Sequence, residues 1–293
     1  MHRCFPNCHL YSVNFAPGTC GSLISSLIYC MHSPNESLKE EQDLSNAHDT
    51  LLNAVVHVWD DHSIVDMGYS KEDYRVQIRP GGMVSNFTLP VLNQPAGINA
   101  YERVSPKNKN GFIIVIDHTT IYNYESLVSV YPNFTEFLIT IKPEDRNQHD
   151  FTVFLKFMCE LEAIPLIETW NIMQRVVIER NPEYSWITDY KKPKDILSNK
   201  DHFHLFVKSY FGTPTNFENF GKFDSRNFNK RIEKNIKFKN RIHSIDFKTV
   251  MTNPNLILNQ ISNVLQKPIS DSARIVYDRW LNKQVLLESI LDK

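Results

Sequence analysis

Between two apolar stretches, residues 13–16 and 23–31, the sequence holds Pro17-Gly18-Thr19-Cys20-Gly21-Ser22. A strand, a small-residue turn and a helix in that order can hold a phosphate, because unpaired N–H groups and the helix dipole point at one spot. Gly18 and Gly21 let backbone approach closely, and Thr19 and Ser22 add hydroxyl donors. The common nucleotide loops do not match: no lysine follows Gly21, and no Gly-x-Gly-x-x-Gly is present. Small residues in such a turn also serve packing alone. Cys20 sits where a thiol pKa falls, but a phosphatase-type cysteine loop needs a following arginine, which is missing.

His118 ends the run Ile114-Val115-Ile116-Asp117-His118, where an imidazole can act as a base near neutral pH. The bland alternative is a histidine that bonds a backbone carbonyl. Residues 221–243 gather Lys222, Arg226, Lys230, Arg231, Lys234, Lys237, Lys239 and Arg241 against Asp224 and Glu233. That stretch either grips an anion or is a solvated helix face with Phe223, Phe228 and Phe238 turned inward. No metal is expected. His2, Cys4, Cys8 and His9 have no second closely spaced pair, leaving only Cys30 and His32 to complete a site, and His57 and His62 are badly spaced for one helical face. His202-Phe203-His204 alternates like a strand or loop edge.

The chain that carries these groups has 293 residues, 42% hydrophobic and 22% charged, with a formal charge of −1. Such a composition belongs to an ordinary globular protein and sets up no global field toward nucleic acid or membrane. No apolar run reaches the roughly 20 residues that a bilayer requires, and the first residues lack a secretory layout. A cytoplasmic location is the expectation. Five scattered cysteines, an odd number, fit reduced thiols.

Continuous apolar runs suit parallel strands buried on both faces. They occur at residues 13–16, 111–117 and 134–141, with an alternating, edge-like run at 241–247. Phe151, Phe154, Leu155 and Met158 form a helical stripe. Asn253 before Pro254 reads as an N-cap, with Ile257, Ile261, Val264 and Leu265 on one face. Ser270 starts a further helix bearing Val276, Trp280, Leu287 and Ile290. Strands alternating with helices argue for one α/β domain over residues 1–293, a parallel sheet of about five strands flanked by helices. Residues 33–50 and 68–110 are polar loop insertions in this reading. Ligands bind such sheets at the carboxyl ends of strands.

Three segments in this order resemble the sulfotransferase family. Ala16-Pro17-Gly18-Thr19-Cys20-Gly21-Ser22 looks like its 5′-phosphosulfate loop, and Ile114 to Thr119 like the strand that delivers its catalytic histidine. Residues 132–145, ending Ile141-Lys142-Pro143-Glu144-Asp145, look like the approach to its 3′-phosphate site. Residues 245–280 resemble its closing strand, Asn-Pro loop and Trp-bearing helix. The resemblance implies a P-loop-like three-layer fold and sulfonate transfer from 3′-phosphoadenosine 5′-phosphosulfate to a hydroxyl or amine. Gly18, Thr19, Cys20, Gly21 and Ser22 would cradle the 5′ side, and His118 would be the base. Backbone N–H groups at the helix N-terminus would stabilise the leaving phosphate.

Ala16, Ile141 and His149 depart from that pattern, where the family carries a cation, an arginine and a serine. Lys142 or Arg146 would then supply charge from neighbouring positions. The acceptor is unidentified, and an anionic one suits residues 222–241; neither a membrane nor a nucleic-acid partner is expected. The alternative is a non-catalytic binding or structural protein on the same fold, for which Ala16 and Ile141 argue.

Overall fold

The computed structural model describes residues 6–7, 9–16, 19–32, 34, 112–117, 124–160, 166–211 and 223–291. His118, Gly18 and nearly all of both expected insertions lie outside them. Four strands are present among the described residues, all parallel: β1 (His9–Asn14), β2 (Phe112–Asp117), β3 (Asn133–Thr140) and β4 (Ile242–Asp246). Their order across the sheet is β2-β1-β3-β4. The sequence reading expected about five, so its count exceeds what the described residues hold.

The β1 prediction needs correction, since the strand starts four residues earlier and ends at Asn14. Its polar residues disguise it. His9 and Asn14 are accommodated by partners on β3, Thr135 at 2.8 Å and Glu136 at 2.5 Å. The other apolar runs were placed to within a residue or two. The strand at 241–247 is β4, which among the described residues pairs with β3 alone and so stands at the edge.

The helices are α1 (Gly21–His32), α2 (Tyr124–Val130), α3 (Arg146–Glu160), α4 (Leu166–Arg180) and α5 (Lys200–Phe211). After these come α6 (Ser225–Lys234), α7 (Phe247–Thr252), α8 (Pro254–Leu265) and α9 (Asp271–Ile290). Leu23, Ile24, Leu27, Ile28 and Met31 of α1 pack with Val13, Phe137 and Ile139 of the sheet and with α8 and α9. The opposite parity, Phe134 and Glu136, meets Tyr124 of α2 and Arg231 of α6. Helices thus flank the sheet. A second apolar cluster joins α3, α4 and α5 through Phe154, Trp170, Met173 and Phe206.

Capping follows the sequence closely. Asn253 accepts the Leu256 N–H at 3.1 Å, and α8 ends at Gln266 in the left-handed region, φ 53°. The Ser270 hydroxyl accepts the Ala273 N–H at 3.2 Å as α9 begins. His202-Phe203-His204 lies in α5, not on a strand or loop edge. Phe203, Phe206 and Val207 are buried at helical spacing, a period that three residues were too few to reveal.

Candidate functional site

From β1 the chain passes to β2 on one side and then to β3 on the other, so β1/β3 is the point where strand order reverses. In open parallel sheets ligands bind outside the carboxyl ends of the strands at such a point. Asn14 pairs with Leu138 at the end of the β1–β3 ladder; Thr140 ends β3 two residues on, and Ala16 follows the end of β1 by two. Thr19, Cys20, Gly21 and Ser22 therefore follow one wall, and Lys142 and Arg146 follow the other. On the far side Asn14 pairs with Asp117. His118 is the next residue, outside those described.

The described half of the first loop is tightly closed. The Thr19 N–H and hydroxyl both donate to the Ala16 carbonyl, at 3.1 and 2.7 Å. Cys20 takes φ 66°, and its Sγ lies 3.8 Å from Met251 Sδ. Burial pushes the Cys20 thiol above its usual range. A Cβ on Gly21 would fall 2.1 Å from the Phe15 ring, which explains glycine at the first residue of α1. Ser22 contributes backbone to that first turn.

The second wall is laced by two crossed ion pairs. Lys142 Nζ lies 3.3 Å from Asp246 Oδ1, and Lys248 Nζ lies 3.4 Å from the buried Asp145. Asp246 also caps α7 by accepting from the Thr249 N–H at 3.1 Å and its hydroxyl at 2.8 Å. Arg146 opens α3 directly behind Asp145. His149 is buried one turn on, edge-on to Phe247 at 5.7 Å. Next to it, Asp150 accepts from His204 at 2.9 Å. Burial pushes the Asp150 carboxyl up, but His149 and His204 overcome that and hold it below the usual carboxylate range.

Ile141, where the resemblance calls for arginine, is a backbone anchor. Its N–H donates to Phe223 O at 2.8 Å and its carbonyl accepts from Ser225 at 3.1 Å. That bridge brings Asp224 and Arg226 to the rim. Arg226 Nε donates to both Asp224 oxygens, at 2.9 and 3.0 Å, while its outer face stays exposed. The Asp224 contact, with Glu144 farther off, raises the guanidinium pKa. Sequence spacing had put Arg226 among eight similar cations and gave no sign that it stands beside β3.

A buried network was also missed. Glu136, fully inaccessible, accepts from Asn14 Nδ2 and from the Tyr124 hydroxyl, each at 2.5 Å, and from Arg231. Arg231 also donates to the Tyr124 oxygen at 2.7 and 2.9 Å. Burial first, then Glu136, pushes the Tyr124 phenol far above its ordinary value. The one available signal was a lone carboxylate within the apolar run of β3. Among the described residues no three His, Cys, Asp or Glu side chains gather as a metal site, and no helix is long and apolar enough to cross a membrane. No family model matches this sequence, and no curated protein or solved structure matches it.

Proposed function

We propose that the β1/β3 crevice binds a phosphorylated adenine nucleotide and that the protein transfers sulfonate from 3′-phosphoadenosine 5′-phosphosulfate to a hydroxyl or amine. One observation carries this reading: the two segments singled out for the nucleotide follow adjacent strands at the point where the sheet order reverses. Cations from three elements stand around the second wall. Lys142 precedes α3, Arg146 opens it, Lys248 lies on α7 and Arg226 on α6. A P-loop-like layering is part of the same reading.

In the transfer, His118 takes the acceptor proton as the acceptor atom bonds to sulfur. The sulfur–oxygen bond to the 5′-phosphate breaks, and that phosphate leaves with the electron pair. N–H groups at the start of α1 and the nearby cations offset its charge. A panel of hydroxyl and amine acceptors with sulfur-labelled donor tests this. The wild type is expected to label at least one acceptor, and His118→Ala to lose labelling while still binding adenosine 3′,5′-bisphosphate. Undiminished labelling by His118→Ala removes the histidine from the mechanism.

A second reading, a non-catalytic protein on this fold, is favoured by the closed loop. Thr19 is satisfied by Ala16, Phe15 covers Gly21, and Lys142 is paired with Asp246. Nucleotide binding without any labelling would select it.

A further inference from the structure

Helix α6 begins at the rim with Ser225 and ends at Lys234, ten residues and about 15 Å along. Beyond it a 3-10 turn, Ile236–Arg241, leads into the amino end of β4. Between this turn and the start of α2 lies a cavity of about 310 Å³, lined by Tyr124, Glu125, Lys234, Ile236, Lys237 and Phe238 among others. It is at the opposite end of α6 from the proposed nucleotide crevice.

The back of this cavity is fixed. Tyr124 stacks on Phe134 at 5.8 Å and meets Phe238 at 5.4 Å, while its hydroxyl is held by Glu136 and Arg231. Arg241 lies over the Phe134 ring at 5.2 Å, which braces the same wall. The mouth is cationic. Lys237 Nζ lies 3.1 Å from Glu125 Oε1, both exposed, and Lys234 has no ion pair among the described residues. Ile236, at the same mouth, is 59% exposed.

A solvated basic face explains the lysines but not the cavity behind them. Small-molecule sites begin at about 300 Å³ and combine apolar walls with a few convergent polar groups. This volume suits one ring and one anionic group. We propose that the cavity binds a phosphate or sulfate monoester of an aromatic or short apolar body. The ester anion sits between Lys234 and Lys237, and the body lies against Ile236, Phe238 and the Tyr124 edge. Glu125 opposes the anion by neutralising Lys237.

Calorimetric titration of the full chain with 4-nitrophenyl phosphate and 4-nitrophenyl sulfate tests this, with inorganic phosphate and 4-nitrophenol as controls. Saturable binding of one ester, tighter than either control, is expected, and the preferred ester identifies the anion. Lys234→Ala should weaken it about fivefold or more. Glu125→Gln should tighten it about twofold. Both side chains are exposed, so unchanged unfolding midpoints will show that the fold is retained. No saturation by either ester, an unaffected Lys234→Ala, or weaker binding by Glu125→Gln overturns the proposal. Lys234→Ala should leave adenosine 3′,5′-bisphosphate binding unchanged, so failure here is separable from failure at the crevice.

Discussion

Burying Glu136 in the middle of β3 is costly, and the fold meets the cost with three donors converging on one carboxylate. Breaking a buried ion pair by removing one partner leaves a buried charge and typically costs about 3–5 kcal/mol. Glu136→Gln should therefore destabilise the protein by that order, because the Arg231 guanidinium stays largely buried. The double change Glu136→Leu with Arg231→Met should cost less than the two single changes summed. Urea unfolding of the single and double variants checks both, and a Glu136→Gln protein as stable as wild type would contradict the network. Glu136 was visible as a lone acid in an apolar run. Its partners were not, because Arg231 is 95 residues away and Asn14 is 122 away. Nothing local separated Arg231 from the cations beside it.

Elements were legible where the signal was local. The Asn253 cap acts three residues along the chain, and the apolar runs of β2 and β3 and the alternating run of β4 gave their bounds nearly correctly. β1 starts earlier than its apolar run because polar His9, Ser12 and Asn14 are interspersed in it, and two of these are matched by side chains on β3. The turn into α1 was recognised from its small residues, but its reason lies in Phe15. Gly21→Ala should thus cost about 1–3 kcal/mol through forced displacement of that ring. Adding Phe15→Leu should recover part of the loss if overpacking is the cause. Chemical denaturation of the two variants decides this, and a Gly21→Ala protein with an unchanged midpoint would contradict the contact.

At the scale of the molecule, the parallel α/β character followed from continuous apolar runs, whereas the strand order depends on connections that no local pattern encodes. That order is what makes the β1/β3 crevice the candidate site. The sheet also carries a pH dependence. His9 stacks on Tyr11 at 4.3 Å, and His32 bonds the Tyr11 hydroxyl at 2.8 Å. Burial, with Arg241 for His9 and with Lys267 and His9 for His32, lowers both imidazoles to about 4. The unfolded chain takes up these protons near pH 6.5. Stability from the two groups is complete above that pH and is lost as pH falls toward about 4. Urea midpoints between pH 7 and pH 4.5 should fall, and less steeply in His32→Gln; equal slopes in the two proteins would contradict this.

Thermal unfolding with adenosine 3′,5′-bisphosphate against AMP tests for a nucleotide site in the β1/β3 crevice. At about 100 times its dissociation constant the bisphosphate should stabilise the fold by about 2.7 kcal/mol. The bisphosphate should give a shift that AMP does not match, weakened in Lys142→Ala and Arg226→Ala and retained in Lys234→Ala. No shift with saturating bisphosphate, or an equal shift with AMP, would contradict it.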